Sequence, residues 1–339
     1  DKVSKTDISS YYKIMFFNVL IGIIFLVCSI KKLEIMDLII SALWIIIPAI
    51  MCYISKETKE KLKIDLINKN DKKYVYEIGK KTWGFFKDNL NKENNYLIPD
   101  NYQENRENLI VDRTSSTNIG LSILVVVSSY DLGYSNFKET IELLKNILTT
   151  VNRLPKWNGH LYNWYNTKTC EPLVPRYVST VDSGNFVGYL YVTKQFLLNR
   201  IKFNFILKDN KNKFYGKQDF KKKQSRINYK DNIKFLINII DKIIENTDFS
   251  VLYSYDQRLF SIGFNIEENK LTDSYYDLLA SEARQASLIA IAKKDIPSKH
   301  WNNLSRTLTV LGKYKGLISW SGTAFEYLMP NVNIPRYNG

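Results

Sequence analysis

Two almost uninterrupted apolar runs open the chain, at residues 14–30 and 38–54, and a short charged segment separates them. As a helix, each run has about the length that crosses roughly 30 Å of hydrocarbon. A signal peptide is the alternative for the first run, and buried core helices are the alternative for both. Two successive runs without a small-residue cleavage site favour a two-helix transmembrane hairpin over residues 1–55.

Lysines set the predicted orientation of this hairpin. Lys2, Lys5 and Lys13 precede the first run, four more lysines lie at 56–63, and the segment between the runs carries two. Positive residues collect on the cytoplasmic side of a membrane. The pattern predicts a multi-pass protein of the cell membrane, with both ends of the hairpin and the large domain that follows on the cytoplasmic side.

The rest of the chain alternates helical patterns with polar, ring-rich loops. Apolar residues recur at spacings of three and four, which is typical of amphipathic helices. This spacing predicts helices at 119–131, 137–154, 184–198, 232–245, 274–293 and 300–311. Ahead of them, residues 56–95 predict a charged juxtamembrane helix and then an amphipathic one. Residues 97–104 predict a non-helical connector because Pro99 restricts the residue before it, and residues 258–264 resemble a short strand.

Helix pairs joined by long loops predict an all-α fold, an (α/α)6 toroid in which helices alternate between an inner and an outer ring. The predicted domains are the hairpin at 1–55, a helical linker at 56–95 and the toroid at 96–339, with a Lys- and Asn-rich surface insertion at 202–230. The helices before Gly339 are too few for six pairs. We therefore expect a toroid that is incomplete at its C-terminus, in a piece of a longer protein.

Composition removes several classes of function. The net charge is +14, but the lysines lie in loops and linkers rather than on one recognition element, so a lysine-rich composition explains them better than nucleic-acid binding does. A hydrophobic content of 45% excludes a disordered chain. Three cysteines and two histidines show no metal-ligand or disulfide spacing, and we expect no metal. Signatures of phosphate-binding loops, kinases and nucleophile elbows are missing from the sequence.

Two loops carry side chains suited to a sugar. In residues 113–118 (RTSSTN), helix capping explains the hydroxyls but not Arg113, whose guanidinium could pair with a carboxylate or bind a sugar hydroxyl. Residues 160–165 (HLYNWY) hold many rings, which either plug the core or form a platform for the C–H faces of a sugar. The predicted sugar contacts in this loop are His160, Tyr162, Trp164 and Tyr165.

Three acids stand among apolar residues. Asp182 either caps a helix that starts near Gly184 or faces a cleft, and the two roles are compatible. The predicted helix at 274–293 places Glu282 on its apolar side, where a carboxylate is costly unless it is paired. An ion pair with Arg284 is the alternative to a functional role. Glu326 is a capping acid or a subsite residue. Separated acids beside aromatic loops suit work on a glycosidic bond.

Seven motifs resemble, in order, the central glycoamylase-like region of cyclic β-1,2-glucan synthases. They are residues 99–104 (PDNYQE), 113–120 (RTSSTNIG), 159–165 (GHLYNWY), 179–185 (STVDSGN), 259–263 (LFSIG), 275–284 (YYDLLASEAR) and 320–330 (WSGTAFEYLMP). The resemblance covers about residues 80–339, and the hairpin fits the end of the membrane glycosyltransferase part that precedes this region. Departures are Ser116 for a usual proline, Asn166 for aspartate and Ala324 for methionine; the segment at 202–230 has no counterpart.

The resemblance implies a toroid that acts on β-1,2-glucan. The central region of that family is a transglycosylase that closes linear chains into rings, and related soluble enzymes are endo-β-1,2-glucanases. Glu282 matches the general base that activates the attacking sugar hydroxyl, while the general acid is expected in a later motif, past Gly339. Asp182 and Glu326 are then expected to shape the cleft or position the acceptor, with Tyr276 and Trp320 as further sugar contacts.

The resemblance also implies the surroundings of this region. We expect no cofactor for it, whereas UDP-glucose would serve the upstream glycosyltransferase part. The expected partners are β-1,2-glucan, the membrane, and the glycosyltransferase and phosphorylase-like parts of the same longer chain, with no nucleic acid. Three functions stay open at this point: transglycosylation that cyclises the glucan, endo-hydrolysis of the same glucan, and a non-catalytic module that holds it.

Overall fold

The computed structural model describes residues 7–32, 35–55, 68–105, 107, 109–202, 225–312 and 314–334. The chain divides into two compact units. One comprises Asp1–Ile67, Val310–Lys315 and Pro335–Gly339, and the other comprises Asn68–Thr309 and Gly316–Ile334. Residues 56–67, where the predicted charged juxtamembrane helix begins, and most of the predicted insertion at 202–230 lie outside the described residues.

The first unit contains the helices α1 (Ile8–Ile14), α2 (Phe16–Lys32) and α3 (Ile35–Ser55), of which α2 and α3 are strongly apolar. Helices α2 and α3 approach closely at Gly22, where an added Cβ would lie 2.9 Å from Cγ1 of Ile45. The chain bends by 76° between Ile8–Ile14 and Phe16–Ile30. The first predicted span, at 14–30, therefore begins at the bend between α1 and α2.

Among the described residues, Ile35–Ser55 is by itself long and apolar enough to cross a membrane, and a second span arises only if the bent pair counts as one. The predicted two-helix hairpin is thus not confirmed, although one candidate span is present. Only 17% of the apolar window in this helix is buried. Such exposure is unlike the core helix of a soluble protein, which hides its apolar side chains.

The second unit is mainly helical, as the sequence predicts. Its helices are α4 (Lys69–Asn89), α5 (Ser116–Asp131), α6 (Phe137–Arg153), α7 (Thr180–Lys202), α8 (Ser225–Asn246), α9 (Arg284–Lys293), α10 (His300–Asn303), α11 (Ala324–Leu328) and α12 (Pro330–Asn333). Helix α7 packs between α5 and α9, while α6 packs against α8. Alternate helices are therefore neighbours, which is the arrangement of an inner and an outer ring.

Short strands join the helices and add an element that the all-α prediction lacked. They are β1 (Arg113–Thr114), β2 (Lys156–Trp157), β3 (His160–Leu161), β4 (Tyr165–Asn166), β5 (Tyr177–Ser179), β6 (Tyr253–Ser254), β7 (Leu259–Phe260), β8 (Gly263–Asn265), β9 (Lys270–Leu271), β10 (Leu308–Leu311) and β11 (Tyr314–Leu317). The pairs β1–β4, β2–β3 and β6–β7 are antiparallel ribbons, and β5, β8 and β9 form an antiparallel three-stranded sheet.

Glycines allow the inner helices to approach closely. A Cβ on Gly120 of α5 would lie 2.6 Å from the ring of Tyr189 on α7, and a Cβ on Gly184 of α7 would lie 2.3 Å from Cβ of Ala286 on α9. Real Cβ atoms do not come so near, so these two positions require glycine for packing. The small residues bring the starts of α5, α7 and α9 together at one end of the unit.

Two predicted helices are wrong in part. Residues 274–283 form turns and a β-bridge from Tyr275 to Ser261, so only Arg284–Lys293 of the predicted helix is helical. Ser281 has a φ of +51°, which a right-handed helix cannot contain. Beyond the short α10, the predicted helix at 300–311 ends in the strand Leu308–Leu311. The apolar spacing in both segments reflects burial on a folded loop or pairing in a ribbon.

Candidate active site

The starts of three neighbouring helices meet at the carboxylate of Glu282. The amide of Asn185, in the second turn of α7, donates a hydrogen bond of 2.7 Å to Oε1 of Glu282. The same amide lies 3.3 Å from Oγ1 of Thr117 in the first turn of α5. Glu282 itself stands two residues before α9. Helix N-termini carry partial positive charge, so this position favours a negative group.

Neutral donors hold Glu282, and the ion pair with Arg284, the alternative to a functional role, does not form. Its side chain is 7% exposed, with the hydroxyl of Ser281 donating to Oε2 at 2.5 Å. Arg284 points elsewhere, donating to the carbonyl of Tyr327 at 2.9 Å. Within the described ranges, no ion pair involves Glu282. A buried carboxylate without a counter-ion is typical of a functional site.

Glu326 is also buried, 4% exposed, but its carboxylate binds backbone groups. Oε1 accepts from the amide of Ser281 at 3.1 Å and Oε2 from the amide of Ser321 at 3.0 Å. Burial works to raise the pKa of Glu326, but the hydrogen bonds from Ser319, Ser321 and Ser281 together outweigh it and hold the pKa at about 2. Glu326 therefore stays ionised and faces the protein.

The contact with Glu326 explains how Ser281 keeps an unusual backbone conformation. A serine in the left-handed region costs about 1–3 kcal/mol and persists only where its surroundings enforce it. Glu326 binds the backbone amide of Ser281, and the side chain of Ser281 binds Glu282. The turn that aims Glu282 is thus held between two carboxylates.

Asp182 lies in the first turn of α7, not at its cap. The helix starts at Thr180, four residues earlier than predicted, because the hydroxyl of Ser179 accepts from the amide of Asp182 at 3.2 Å and does the capping. Asp182 is half-buried, and its charge acts on the hydroxyl of Tyr276. Burial raises the pKa of the Tyr276 hydroxyl, and the negative charges of Asp182 and, to a smaller extent, Glu282 raise it further.

The loop at 160–165 divides between the site and the core. In the amide orientation that satisfies both neighbours, Asn163 donates to Oδ2 of Asp182 at 3.2 Å and accepts from the indole of Trp164 at 3.1 Å. The guanidinium of Arg113 lies over the ring of Trp164, 4.6 Å from its centroid. Asp100 holds Arg113 with a contact of 3.3 Å. These residues form a continuous polar and aromatic wall that leads to Asp182.

His160, Tyr162 and Tyr165, predicted as sugar contacts, are buried by the structure. His160 has no exposed surface, and its ring nitrogens lie 2.9 Å from the hydroxyl of Ser183 and 2.7 Å from the carbonyl of Asp248. Tyr165 is equally buried and donates to the carbonyl of Pro155 at 2.6 Å. Tyr162 is nearly buried. The alternative that this loop plugs the core describes these three side chains better.

The exposed ring of Trp320 packs against Tyr276, which lies near Asp182 and Glu282. Trp320 is 51% exposed, and its ring centroid lies 5.7 Å from that of Tyr276, with the planes tilted by 33°. Phe325 is exposed nearby in sequence, at the start of α11. Exposed aromatic faces next to polar groups are suited to sugar rings, which present C–H faces between hydroxyls.

The structure reveals site residues that the sequence reasoning did not select. Asn185 and Ser281 hold Glu282, and Asn163 and Asp100 join Asp182 and Arg113 to the same wall. The spacing of three between positions 182 and 185 signals a shared helix face. The hydroxyl of Ser281 gives no such signal, because its role follows from a turn. Within the described part of the chain, no group of three His, Cys, Asp or Glu side chains could hold a metal ion.

The alternating helices, with acids and aromatic side chains gathered at one end, define the class of the fold. It is that of glucoamylase-like α/α barrels. An endo-beta-1,2-glucanase from Chitinophaga pinensis, solved with sophorotriose and glucose, has a TM-score of 0.56 and 12% identity over 72% of this chain and 55% of its own. A glucoamylase-like protein from Bacteroides fragilis has a TM-score of 0.55 and 14% identity over 74% of this chain and 56% of its own. At such identities the likeness concerns the fold.

The sequence itself is similar to cyclic beta-(1,2)-glucan synthase NdvB from Rhizobium meliloti (strain 1021). The identity is 30% over an alignment of 395 residues, which covers 88% of this chain. The resemblance that the motifs indicated is therefore confirmed. The chain spans only 14% of the length of that relative. No protein-family profile matches the chain.

Proposed function

We propose that this chain is the glucan-handling region of a carbohydrate-active enzyme that acts on β-1,2-glucan. The observation that carries this proposal is the carboxylate of Glu282. It is buried without a counter-ion, it lies where three helices begin, and it is held by Asn185 and Ser281. The similarity to a cyclic β-(1,2)-glucan synthase and the fold shared with an endo-β-1,2-glucanase support the choice of glucan.

In the proposed mechanism, Glu282 is the general base. It takes the proton from a glucose hydroxyl, whose oxygen forms the new C–O bond at the anomeric carbon of a glucosyl unit. A single displacement inverts the configuration of that carbon, so keeping the β linkage takes two displacements, and Glu282 acts in the second. The old glycosidic C–O bond breaks, and its oxygen receives a proton from a general acid. Glu326 is unsuited to be that acid because its low pKa keeps it ionised.

The side chains around Glu282 suit the binding of a sugar chain. The exposed face of Trp320, tilted against Tyr276, offers a surface for the C–H face of one glucose unit. Asp182 and Arg113 stand along the wall with Asn163 and Trp164 and offer charged partners for hydroxyl groups. These contacts would orient the acceptor hydroxyl toward Glu282.

Ring closure and hydrolysis differ in the nucleophile, not in the carboxylates. If the attacking hydroxyl belongs to the same glucan chain, the product is a ring and a shorter linear remnant. If water attacks, only shorter linear chains form. The similarity to a cyclic glucan synthase favours ring closure, and the fold of the Chitinophaga pinensis glucanase is the reason to keep hydrolysis as the second candidate.

The products of the full-length protein test this proposal. We expect linear β-1,2-glucan to be converted to rings, which are lighter by one water than linear chains of the same number of units. Linear β-1,3-glucan, the linkage control, should remain unchanged. Linear products alone would favour hydrolysis. Binding of β-1,2-glucan without any new product would contradict the enzymatic function and favour a holding module.

The apolar helix Ile35–Ser55 supports a further part of the proposal, that the chain is anchored in the cell membrane. The lysines that flank the apolar runs favour a cytoplasmic position for the large domain. There it could receive glucan that a glycosyltransferase part of the same longer protein makes from UDP-glucose, ahead of a phosphorylase-like part. Protease added to intact cells should then leave the domain whole; its cleavage there would contradict this topology.

A further inference from the structure

Glu326 binds two segments of the site at once. Its carboxylate accepts from the backbone amide of Ser281 at 3.1 Å, in the turn before α9, and from that of Ser321 at 3.0 Å, in the loop before α11. The amide of Trp320 also donates to the carbonyl of Leu279 at 3.1 Å, which joins the same two segments. One of these segments bears the Glu282 carboxylate, and the other bears the exposed Trp320 ring.

Ser281 transmits this contact to Glu282. Its amide is bound by Glu326 while its hydroxyl donates to Oε2 of Glu282 at 2.5 Å. With a φ of +51°, Ser281 directs its amide to the carboxylate of Glu326 and its hydroxyl to that of Glu282. Glu326 is buried and occupied by backbone donors, so it lacks the exposed surface that a sugar-binding residue needs.

We propose that Glu326 and Ser281 are positioning residues, which fix the Glu282 carboxylate relative to the Trp320 surface without touching the glucan. This inference rests on the proposed role of Glu282 as the base, and it replaces the substrate-binding role first predicted for Glu326. A carboxylate held in this way stays aligned with a sugar that lies on Trp320. Small displacements of a catalytic group lower rates by about 100-fold, so this alignment is important for turnover.

A double-mutant cycle on the full-length protein tests whether Glu326 acts through Ser281. Glu326→Gln removes one of the two acceptor oxygens, whereas Ser281→Gly removes the hydroxyl but suits the positive φ and retains the amide. We expect each change to lower kcat by about 10- to 100-fold. The double variant should be no slower than the slower single variant, because both changes interrupt the same path. A double variant whose loss in kcat equals the product of the two single losses would overturn the proposal.

The pH profile distinguishes positioning from a general loss of structure. A carboxylate that loses a hydrogen-bond donor is protonated more easily, so in Ser281→Gly the acid limb of kcat/KM should move to higher pH. Glu142→Gln and Ser298→Ala change exposed residues of the same two types and should leave the rates unchanged. Wild-type rates and an unmoved acid limb in Ser281→Gly would refute the role of the pair.

Failure of this inference can be told apart from failure of the proposed function. Near-normal turnover in Glu282→Gln would remove Glu282 as the base, and with it the reason for any positioning pair. Loss of turnover in Glu282→Gln together with multiplying costs in the cycle would keep the base and reject only the link through Ser281. Circular dichroism and thermal unfolding of each variant confirm that the rates refer to folded protein.

Discussion

Glu282 depends on a single amide for one of its two oxygens. Asn185 is buried and donates at 2.7 Å to Oε1, and no cation offsets the charge among the residues that the structure describes. Hydrogen bonds to charged groups contribute about 1.5–3 kcal/mol. The position of Asn185 on α7 therefore contributes to the placement of the acid.

Asn185→Ala should lower kcat by about 10-fold or more, because Oε1 of Glu282 loses its donor. Asn185→Asp keeps the shape but sets a second carboxylate against the first, so we expect a larger loss of activity. The exposed Asn199→Asp, on the same helix, is the control and should behave as wild type. Steady-state rates against pH measure all three. Equal activity of Asn185→Ala and wild type would show that the amide is dispensable.

His160 stabilises the loop that forms the wall of the site. Burial lowers its pKa from 6.5 to about 4, so the folded protein holds the neutral ring while the unfolded chain binds a proton below pH 6.5. Stability from this residue is complete above pH 6.5 and is lost as pH falls toward 4. The loss amounts to at most about 3 kcal/mol, at 1.36 kcal/mol for each unit of pKa.

We expect His160→Gln to be less stable than wild type at pH 7 and to lose less further stability between pH 6.5 and 4. Glutamine can still donate to the carbonyl of Asp248 but does not titrate. Denaturant unfolding across this pH range measures the difference. Parallel curves for the two proteins would show that His160 does not cause the loss.

At the scale of elements, the contact between α7 and α9 positions the acid. Gly184 and Ala286 let the two helices touch, and Glu282 lies four residues before Ala286. Any side chain at 184 would push α9 away from α7. The hydrogen bond from Asn185 to Glu282 crosses this same contact.

Gly184→Ala should therefore destabilise the protein by about 1–3 kcal/mol through overpacking, and lower activity as well. Gly84→Ala is the matched control, since an added Cβ on this glycine of α4 meets nothing within 4 Å. In an open helical position the same change should stabilise by about 0.5–1 kcal/mol. Thermal unfolding of both variants checks the pair. A stable Gly184→Ala would contradict the close approach.

Long amphipathic helices were predictable from sequence, and short irregular elements were not. The spacing in 119–131 and 137–154 predicts α5 and α6 within a few residues, because each helix buries one continuous stripe. Residues 274–283 show a similar spacing but fold as turns, since Glu326, distant in sequence, holds Ser281 in a left-handed conformation. Apolar spacing depends only on residues close in sequence, so it cannot predict the hydrogen bond between Glu326 and Ser281.

At the scale of the whole molecule, the sequence predicted the right relatives from motifs scattered over about residues 80–339. Four of these motifs, at 113–120, 179–185, 275–284 and 320–330, supply the hydrogen-bonded side chains and turns around Glu282. Asp182 and Glu282 lie far apart in sequence, and folding brings both near Tyr276. For the loop at 160–165, the sequence predicted more sugar contacts than the exposure of its side chains supports, because the number of aromatic rings alone does not distinguish a core from a cleft.

Replacing Glu282 by glutamine in the full-length protein tests whether this carboxylate is the base. Glutamine keeps the size of the side chain and can still accept from Asn185, so the fold should survive. We expect product formation from linear β-1,2-glucan to fall by at least about 100-fold, with an unchanged circular-dichroism spectrum, because the base is gone. Glu142→Gln, an exposed acid of the same unit, should retain full activity. Near-normal product formation by Glu282→Gln would show that Glu282 is not the base.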